Sequence, residues 1–187
     1  MTETLDVIRR RYACRQYADR PLEAETLRTI AAAGLAAPSA LNRQPWRIIT
    51  VSDRDRLADL ETVGLAVIKD QDPAFYERLQ ARDGRLLYGA PALVVIAQEQ
   101  VESPWPAALD VGIVASHIAL AATSLGVDNV IAALPSYAFN SAEGPRLKQR
   151  FGIPAGFEFA VSILLGYAAG EPRAPHQPDL AKLIEIG

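Results

Sequence analysis

The sequence predicts a chain in which strands alternate with long helices around a hydrophobic core. Two observations carry this. Half of the 187 residues are hydrophobic, enough at this length for one domain, residues 1–187, with a full core. Short β-branched runs recur between longer stretches whose apolar residues fall at helical spacing. A third observation narrows the choice: a doubly wound parallel sheet fits the alternation, but no G-x-G-x-x-G or G-x-x-x-x-G-K-S/T loop accompanies any strand. A nicotinamide-binding Rossmann domain is therefore not indicated.

The elements follow in order. Leu5 to Arg10 carries a short helical pattern. Leu22 to Ala36 is a second helix: Leu27, Ile30, Ala31, Gly34 and Leu35 recur at helical spacing, Glu23 and Glu25 sit in the first turn, and Pro38 lies beyond the end. Trp46 to Val51 reads as a strand from its β-branched content, and Asp53 is placed to cap a helix running through Leu57 and Leu60 toward Ile68. Pro73 to Leu87 reads as a further helix, more polar and so more exposed. Ala92 to Ala97 predicts a fully buried strand, Ala107 to Leu125 a long central helix, Asp128 to Leu134 a strand, Glu143 to Phe151 a helix and Phe157 to Leu165 a strand. The proline-rich stretch Pro172 to Pro178 reads as an extended arm, because an apolar segment, Leu180 to Ile186, follows it and must dock somewhere.

Composition excludes several classes of function. The net charge is −3 and the arginines form no basic face, so no nucleic-acid partner is expected. A single cysteine rules out an intramolecular disulfide, and no C-x-x-C or H-x-x-x-H spacing supports a metal or dithiol site. That fits a reducing compartment. The first ten residues are charged and lack the apolar core of a secretory signal. Ala107 to Val127 approaches membrane length, but Asp110, Ser116, His117 and Ser124 would be costly in hydrocarbon, so it reads as a buried helix and no membrane partner is expected. With no clear polar face it needs covering on all sides, which a dimer does well.

Two segments carry candidate chemistry. In Pro38-Ser39-Ala40-Leu41-Asn42-Arg43-Gln44-Pro45-Trp46 two prolines end regular structure, while Ser39, Asn42 and Gln44 can direct short hydrogen bonds at a bound polar ring. Read alone, this is also an ordered helix-to-strand turn. Arg11-Tyr12-Ala13-Cys14-Arg15 places two guanidinium groups where the chain leaves its first helix. Cys14 has no adjacent group to lower its pKa and reads as a packing residue, and His117 as a core or interface histidine.

Together these segments resemble the nitroreductase family of FMN-dependent flavoproteins. In that family an arginine, a second basic residue, a serine, any residue and a further basic residue hold the flavin and its phosphate, and P-S-x-x-N-x-Q-P-W follows about a helix later. Arg11 and Arg15 match the basic positions, whereas Tyr12 stands where a basic residue is common and Ala13 where a serine is common. Tyr88-Gly89-Ala90-Pro91, Asp110-Val111-Gly112, Leu125-Gly126-Val127, Gly152 to Gly156 and Leu165-Gly166-Tyr167 agree in order and spacing with later blocks of the family.

The resemblance implies an α+β sandwich, with a mixed, mostly antiparallel sheet flanked by helices, a long buried central helix, and a homodimer. It implies FMN as cofactor, NADH or NADPH as electron donor, and a small-molecule acceptor such as a nitroaromatic or quinone, reduced in two half-reactions in the cytoplasm. Arg11, Tyr12, Ala13 and Arg15 fall at its flavin-binding positions from one subunit, with Pro38, Ser39, Asn42 and Gln44 supplied by the second loop. Backbone N–H groups at Ala132 or Ala133 would approach the reactive nitrogen, the alternative being two alanines packed in a strand. Relatives usually carry an arginine or lysine for the phosphate in the arm after the last strand; here His176 is the aligned residue and Arg173 its rival. The flavin performs the chemistry, so no protein acid, base or metal is required. A specialised flavoenzyme of the same fold (flavin-destroying, dehalogenating or enone-reducing) and a non-catalytic flavin-binding protein are the alternatives.

Overall fold

Helices cover both faces of a four-stranded antiparallel sheet in the computed structural model of the chain, which describes residues 2–81, 83–101, 104–171 and 173–186. The strands β1 (Trp46–Val51), β2 (Ala92–Glu99), β3 (Asp128–Ala132) and β4 (Phe157–Gly166) lie in the order β1-β2-β4-β3. The resemblance implies a mixed, mostly antiparallel sheet. Among the described residues every pair is antiparallel, with Ile48 opposite Ile96, Val94 opposite Ile163 and Ile131 opposite Ile163 from the other side.

The helices are α1 (Glu3–Arg10), α2 (Ala24–Gly34), α3 (Arg54–Gln71), α4 (Pro73–Gln80), α5 (Pro104–Ser124), α6 (Ser136–Phe139) and α7 (Gly144–Phe151). Strand alternation sorts β2 between two cores. Ala92, Val94 and Ile96 meet α2 and α5 through Ile30, Val114 and Ile118. Leu93, Val95 and Ala97 join the opposite core, where Leu60 and Ile68 of α3 pack with Phe139 and Phe151. All six β2 residues are fully buried, each large side chain contributing about 1.5–3 kcal/mol.

Several expected boundaries move for local reasons. The helix expected over Pro73 to Leu87 ends at Gln80, because Asp83 (φ 89°) and Gly84 (φ 67°) turn the chain out of right-handed helical space. Asp53 does cap α3, its carboxylate accepting the Arg56 N–H at 3.0 Å. The four-residue α6 is too short to show a period in sequence. In the single chain α5 is buried on one side only: Leu109 is 55% exposed, Gly112 and Ser116 are exposed, and Ile113, His117 and Leu120 are half-buried. Its residues 107–124 are long and apolar enough to cross a membrane (mean hydropathy 1.5), yet they pack along the sheet. Leu180, Leu183, Ile184 and Ile186 are all exposed. The segment expected to dock does not dock on its own chain.

Glu61 of α3 ties that helix to the approach of β2, its carboxylate accepting the N–H groups of Leu86 at 2.7 Å and Leu87 at 3.3 Å. Burial raises its pKa above the ordinary 4.5, and the two N–H donors pull it only partly back. A raised folded-state pKa means that Glu61 contributes fully below the unfolded value and that this contribution is lost as pH rises through the folded value. Thermal melts of parent and Glu61→Gln across pH 4 to 7 should therefore show the parent losing ground steadily to the variant. A pH-independent gap would show that burial does not govern this carboxylate.

Candidate functional site

The Arg11–Arg15 segment crosses the end of the sheet where β4 finishes. Its backbone is stitched to three elements: Cys14 N donates to Asn129 O (3.0 Å), Tyr17 N to Tyr88 O (3.3 Å), and Ala18 N to Tyr167 O (2.8 Å). Gly166 makes the crossing possible, since a Cβ there would lie 2.8 Å from the Tyr17 ring and 2.6 Å from Pro91. One carboxylate clamps both neighbouring segments: Asp128 Oδ1 accepts from the Tyr12 hydroxyl and Oδ2 from Ala168 N, each at 2.8 Å. Burial, reinforced by this bond, holds the Tyr12 phenol protonated far above its ordinary range. Cys14 is buried, its thiol pKa raised by that burial, and its Sγ donates to Gln16 O. It is a packing residue, as the sequence suggests.

Around Tyr12 lie two adjoining hollows. One, of about 370 Å³, is lined by Arg10, Tyr12, Asp128 and Arg173 among others; the second, of about 120 Å³, by Tyr12, Arg15, Glu171 and Arg173. Arg10 is held by Asp6 at 2.7 Å. The side chains of Arg11, Arg15 and Arg173 have no hydrogen-bond or ionic partner among the described residues. Arg15 and Arg173 line these hollows and Arg11 adjoins Tyr12 in the chain; guanidinium groups with donors to spare suit a doubly charged phosphate. Arg173 shares both hollows with Tyr12, whereas His176 sits exposed three residues further along the arm.

The Pro38–Trp46 loop is shaped as its composition suggests. Ala40–Asn42 forms a single 3-10 turn, and Leu41 (φ 54°), Asn42 (φ 53°) and Gln44 (φ 51°) all occupy left-handed backbone. Three such non-glycine residues within four positions cost of the order of 1–3 kcal/mol each and persist only where neighbours over-determine them. The restraints are visible: Gln44 N donates to Ser39 Oγ (2.9 Å), Ala40 N to the Asp110 carboxylate (3.1 and 3.3 Å), and Glu99 N to Pro45 O (3.0 Å). Gln44 Nε2 donates to Asn42 Oδ1 at 2.9 Å. This leaves the Asn42 amide N–H donors and the Gln44 carbonyl acceptor side by side and exposed, while Pro38 is exposed and Trp46 is buried beneath them.

These two half-sites are far apart within the chain. Trp46 stands opposite Gln98, which stands opposite Glu158; Asp128 stands opposite Gly166. Eight strand positions on β4 separate them, roughly 27 Å at about 3.4 Å per residue. Of the remaining candidates, Ala132 is buried inside the sheet with its carbonyl accepting from Ser162 Oγ at 2.9 Å, and Ala133 is exposed just past the strand. Asp128 and Asp110 are the residues that sequence reasoning passes over. For Asp110 a signal existed, a lone acid in an apolar run; for Asp128 there was none, because its partners lie 116 and 40 residues away.

Comparison with known proteins is consistent throughout. A model described as the Nitroreductase family matches residues 8–167. A protein of Archaeoglobus fulgidus, provisionally named an NADH dehydrogenase/NAD(P)H nitroreductase, is 30% identical over 175 residues, covering 91% of this chain and 88% of that one. The crystal structure of a nitroreductase with bound FMN from Desulfitobacterium hafniense is 39% identical over the whole of both chains, with a TM-score of 0.93. A second, also with bound FMN, from Bacteroides fragilis, is 25% identical over the whole of both, with a TM-score of 0.88.

The Asp128 clamp makes a graded prediction. Tyr12→Phe removes one of its bonds and should lower unfolding free energy by about 1 kcal/mol; Asp128→Ala removes both and should cost roughly twice that in urea titrations. Equal losses would mean that the Ala168 bond carries nothing.

Proposed function

Because the chain belongs to the nitroreductase family, we propose that it is an FMN-dependent oxidoreductase that takes electrons from NADH or NADPH and delivers them to small electron-poor acceptors such as nitroaromatics or quinones. It works as a cytoplasmic homodimer. The observation that carries this reading is the pair of half-sites: three arginines without a partner among the described residues in the segments at one end of the sheet, and an exposed amide donor–acceptor pair at the other. Both fit the cofactor.

Arg11, Arg15 and Arg173 hold the phosphate by charge-assisted hydrogen bonds, the last of them preferred to His176 because it shares the hollows beside Tyr12. Asn42 and Gln44 meet the ring edge, whose neighbouring C=O and N–H groups match their free N–H and C=O in sign. Ala133, at the exit of β3, offers backbone beside the ring with only a methyl group to obstruct it. When bound, FMN supplies the redox chemistry, receiving a hydride from reduced nicotinamide and returning two electrons to the acceptor. The protein's own task is to bind, orient and tune.

A second copy brings the half-sites together. The exposed face of α5, Leu109, Gly112 and Ser116, runs along a helix of 21 residues, about 31 Å long, between the two ends. Packing that face against its symmetry mate, antiparallel about a twofold axis, sets the Pro38–Trp46 loop of one protomer against the arginine cluster of its partner. Two equivalent sites result.

The purified protein should carry about one FMN per chain and elute as a dimer. Arg15→Ala and Arg173→Ala should each weaken FMN binding roughly tenfold, less so at high salt, with His176→Ala near the parent. An affinity that falls in His176→Ala and stays in Arg173→Ala would exchange their roles.

Anaerobic NADH or NADPH should bleach the bound flavin, and initial-rate plots at several acceptor concentrations should give parallel lines, because one pocket must release oxidised nicotinamide before the acceptor enters. A flavin that stays oxidised would make the protein a binder without turnover. Intersecting lines would require a separate nicotinamide site.

A further inference from the structure

We infer that Asp110 is the positioning residue of the flavin-ring loop: from the interior of α5, its buried carboxylate holds the Pro38–Trp46 turn in the strained conformation that presents Asn42 and Gln44. This deepens the reading of the site as a flavin site and rests on it. Four observations converge. Asp110 is only 4% exposed, in a helix whose other buried residues are apolar. Both its oxygens lie on one donor, Ala40 N, at 3.1 and 3.3 Å, across 70 residues of sequence. That N–H opens the 3-10 turn Ala40–Asn42, where no side-chain cap is supplied by the preceding Ser39, whose hydroxyl is engaged instead by Gln44 N. And the turn it opens contains Leu41 and Asn42 in left-handed backbone, followed by Gln44 in the same region.

The logic is that of an N-cap delivered from another element. A buried carboxylate oxygen needs a hydrogen-bond donor, and a strained turn persists only where its ends are fixed; each supplies what the other lacks. Ser39 and Asp110 hold different atoms of the same loop, Gln44 N and Ala40 N. Asp110 therefore governs where the turn begins and Ser39 where it closes. Leu41 is 87% exposed and packs on nothing that could fix the turn in its place.

The role predicts a defined rescue. Asparagine at this position keeps one carbonyl oxygen for Ala40 N–H while its second oxygen becomes an NH2 group. Alanine loses the acceptor. Hydrogen exchange of the flavin-free protein should show the Ala40 and Gln44 amides exchanging at least tenfold faster in Asp110→Ala, within about threefold of the parent in Asp110→Asn, and α5 amides unchanged in both. FMN affinity and the visible circular dichroism of the bound flavin should follow the same order, with Asp110→Ala resembling Asn42→Ala. Should Asp110→Ala fail to fold, Ala40→Pro removes the donor instead, at a first-turn position that tolerates proline, and should reproduce the loss.

Loop amides that exchange at the parental rate in Asp110→Ala, or a loss in Asp110→Asn as large as in Asp110→Ala, would overturn the proposal. A parent that binds no flavin, with loop amides still released by Asp110→Ala, would overturn the flavin reading and uphold the anchor.

Discussion

The packing of α5 along the sheet is the constraint on which the rest of the molecule depends. Val114, Ala115, Ile118 and Ala122 bury that helix against the β2 face of Ala92, Val94 and Ile96, and against Ile163 and Leu165 of β4. At 21 residues the helix is about as long as the strands it crosses, so everything attached to its two ends is separated by the full height of the sheet. The arginine segment is stitched to β3 and the end of β4, the amide loop to Asp110 near the start of α5 and to the opening of β1. Neither can drift toward the other without unpacking the core.

At each end a carboxylate converts that rigid frame into local geometry. Asp128 spreads its two oxygens over a side-chain hydroxyl and a backbone N–H from two different segments, so it sets the spacing between the arginine segment and the arm carrying Arg173. Asp110 places both oxygens on a single N–H and so fixes a point instead of a spacing. On the proposed flavin reading, the difference matches the demands of the two ends. A phosphate is met by long guanidinium side chains that adjust their own reach, whereas short amide side chains at a ring edge have no slack and need their backbone held.

Much of this was legible in sequence, and the failures share a cause. The strands, α2, α3 and α7 follow from periodicity and capping residues to within two or three positions, and the two motif segments are local enough to be read directly. The end of α4 was misplaced although the turn dipeptide Asp83-Gly84, both residues in left-handed backbone, was there in sequence to announce it. The mostly antiparallel sheet came from the family resemblance and not from periodicity, since strand order is decided by non-local burial of β2 and β4 and not by either strand's residues. The exposure of the C-terminal segment was invisible because hydrophobicity says that a surface will be covered, not by which chain, whereas for α5 the missing polar face already pointed to cover from a second chain. Asp128 shows the limit most plainly, an ordinary acid in sequence whose importance lies wholly in two partners brought to it by folding.

That uncovered surface connects folding to function. Leu180, Leu183, Ile184 and Ile186 are 64–93% exposed, as is 55% of Leu109 on the open face of α5. Left in water, each forgoes about 1.5–3 kcal/mol of burial, a large sum against the total stability of a domain. On the homodimer reading, the surface that must be covered for stability and the half-sites that must be joined for flavin binding are served by the same association. Dimerisation, cofactor binding and folding are then linked by mass action: each ligand, the flavin and the second chain, raises the apparent affinity for the other, because each binds only the arrangement that the other favours. On that reading, the separation imposed by α5 makes the flavin a reporter of assembly, since neither proposed half-site alone offers both cations for the phosphate and amides for the ring.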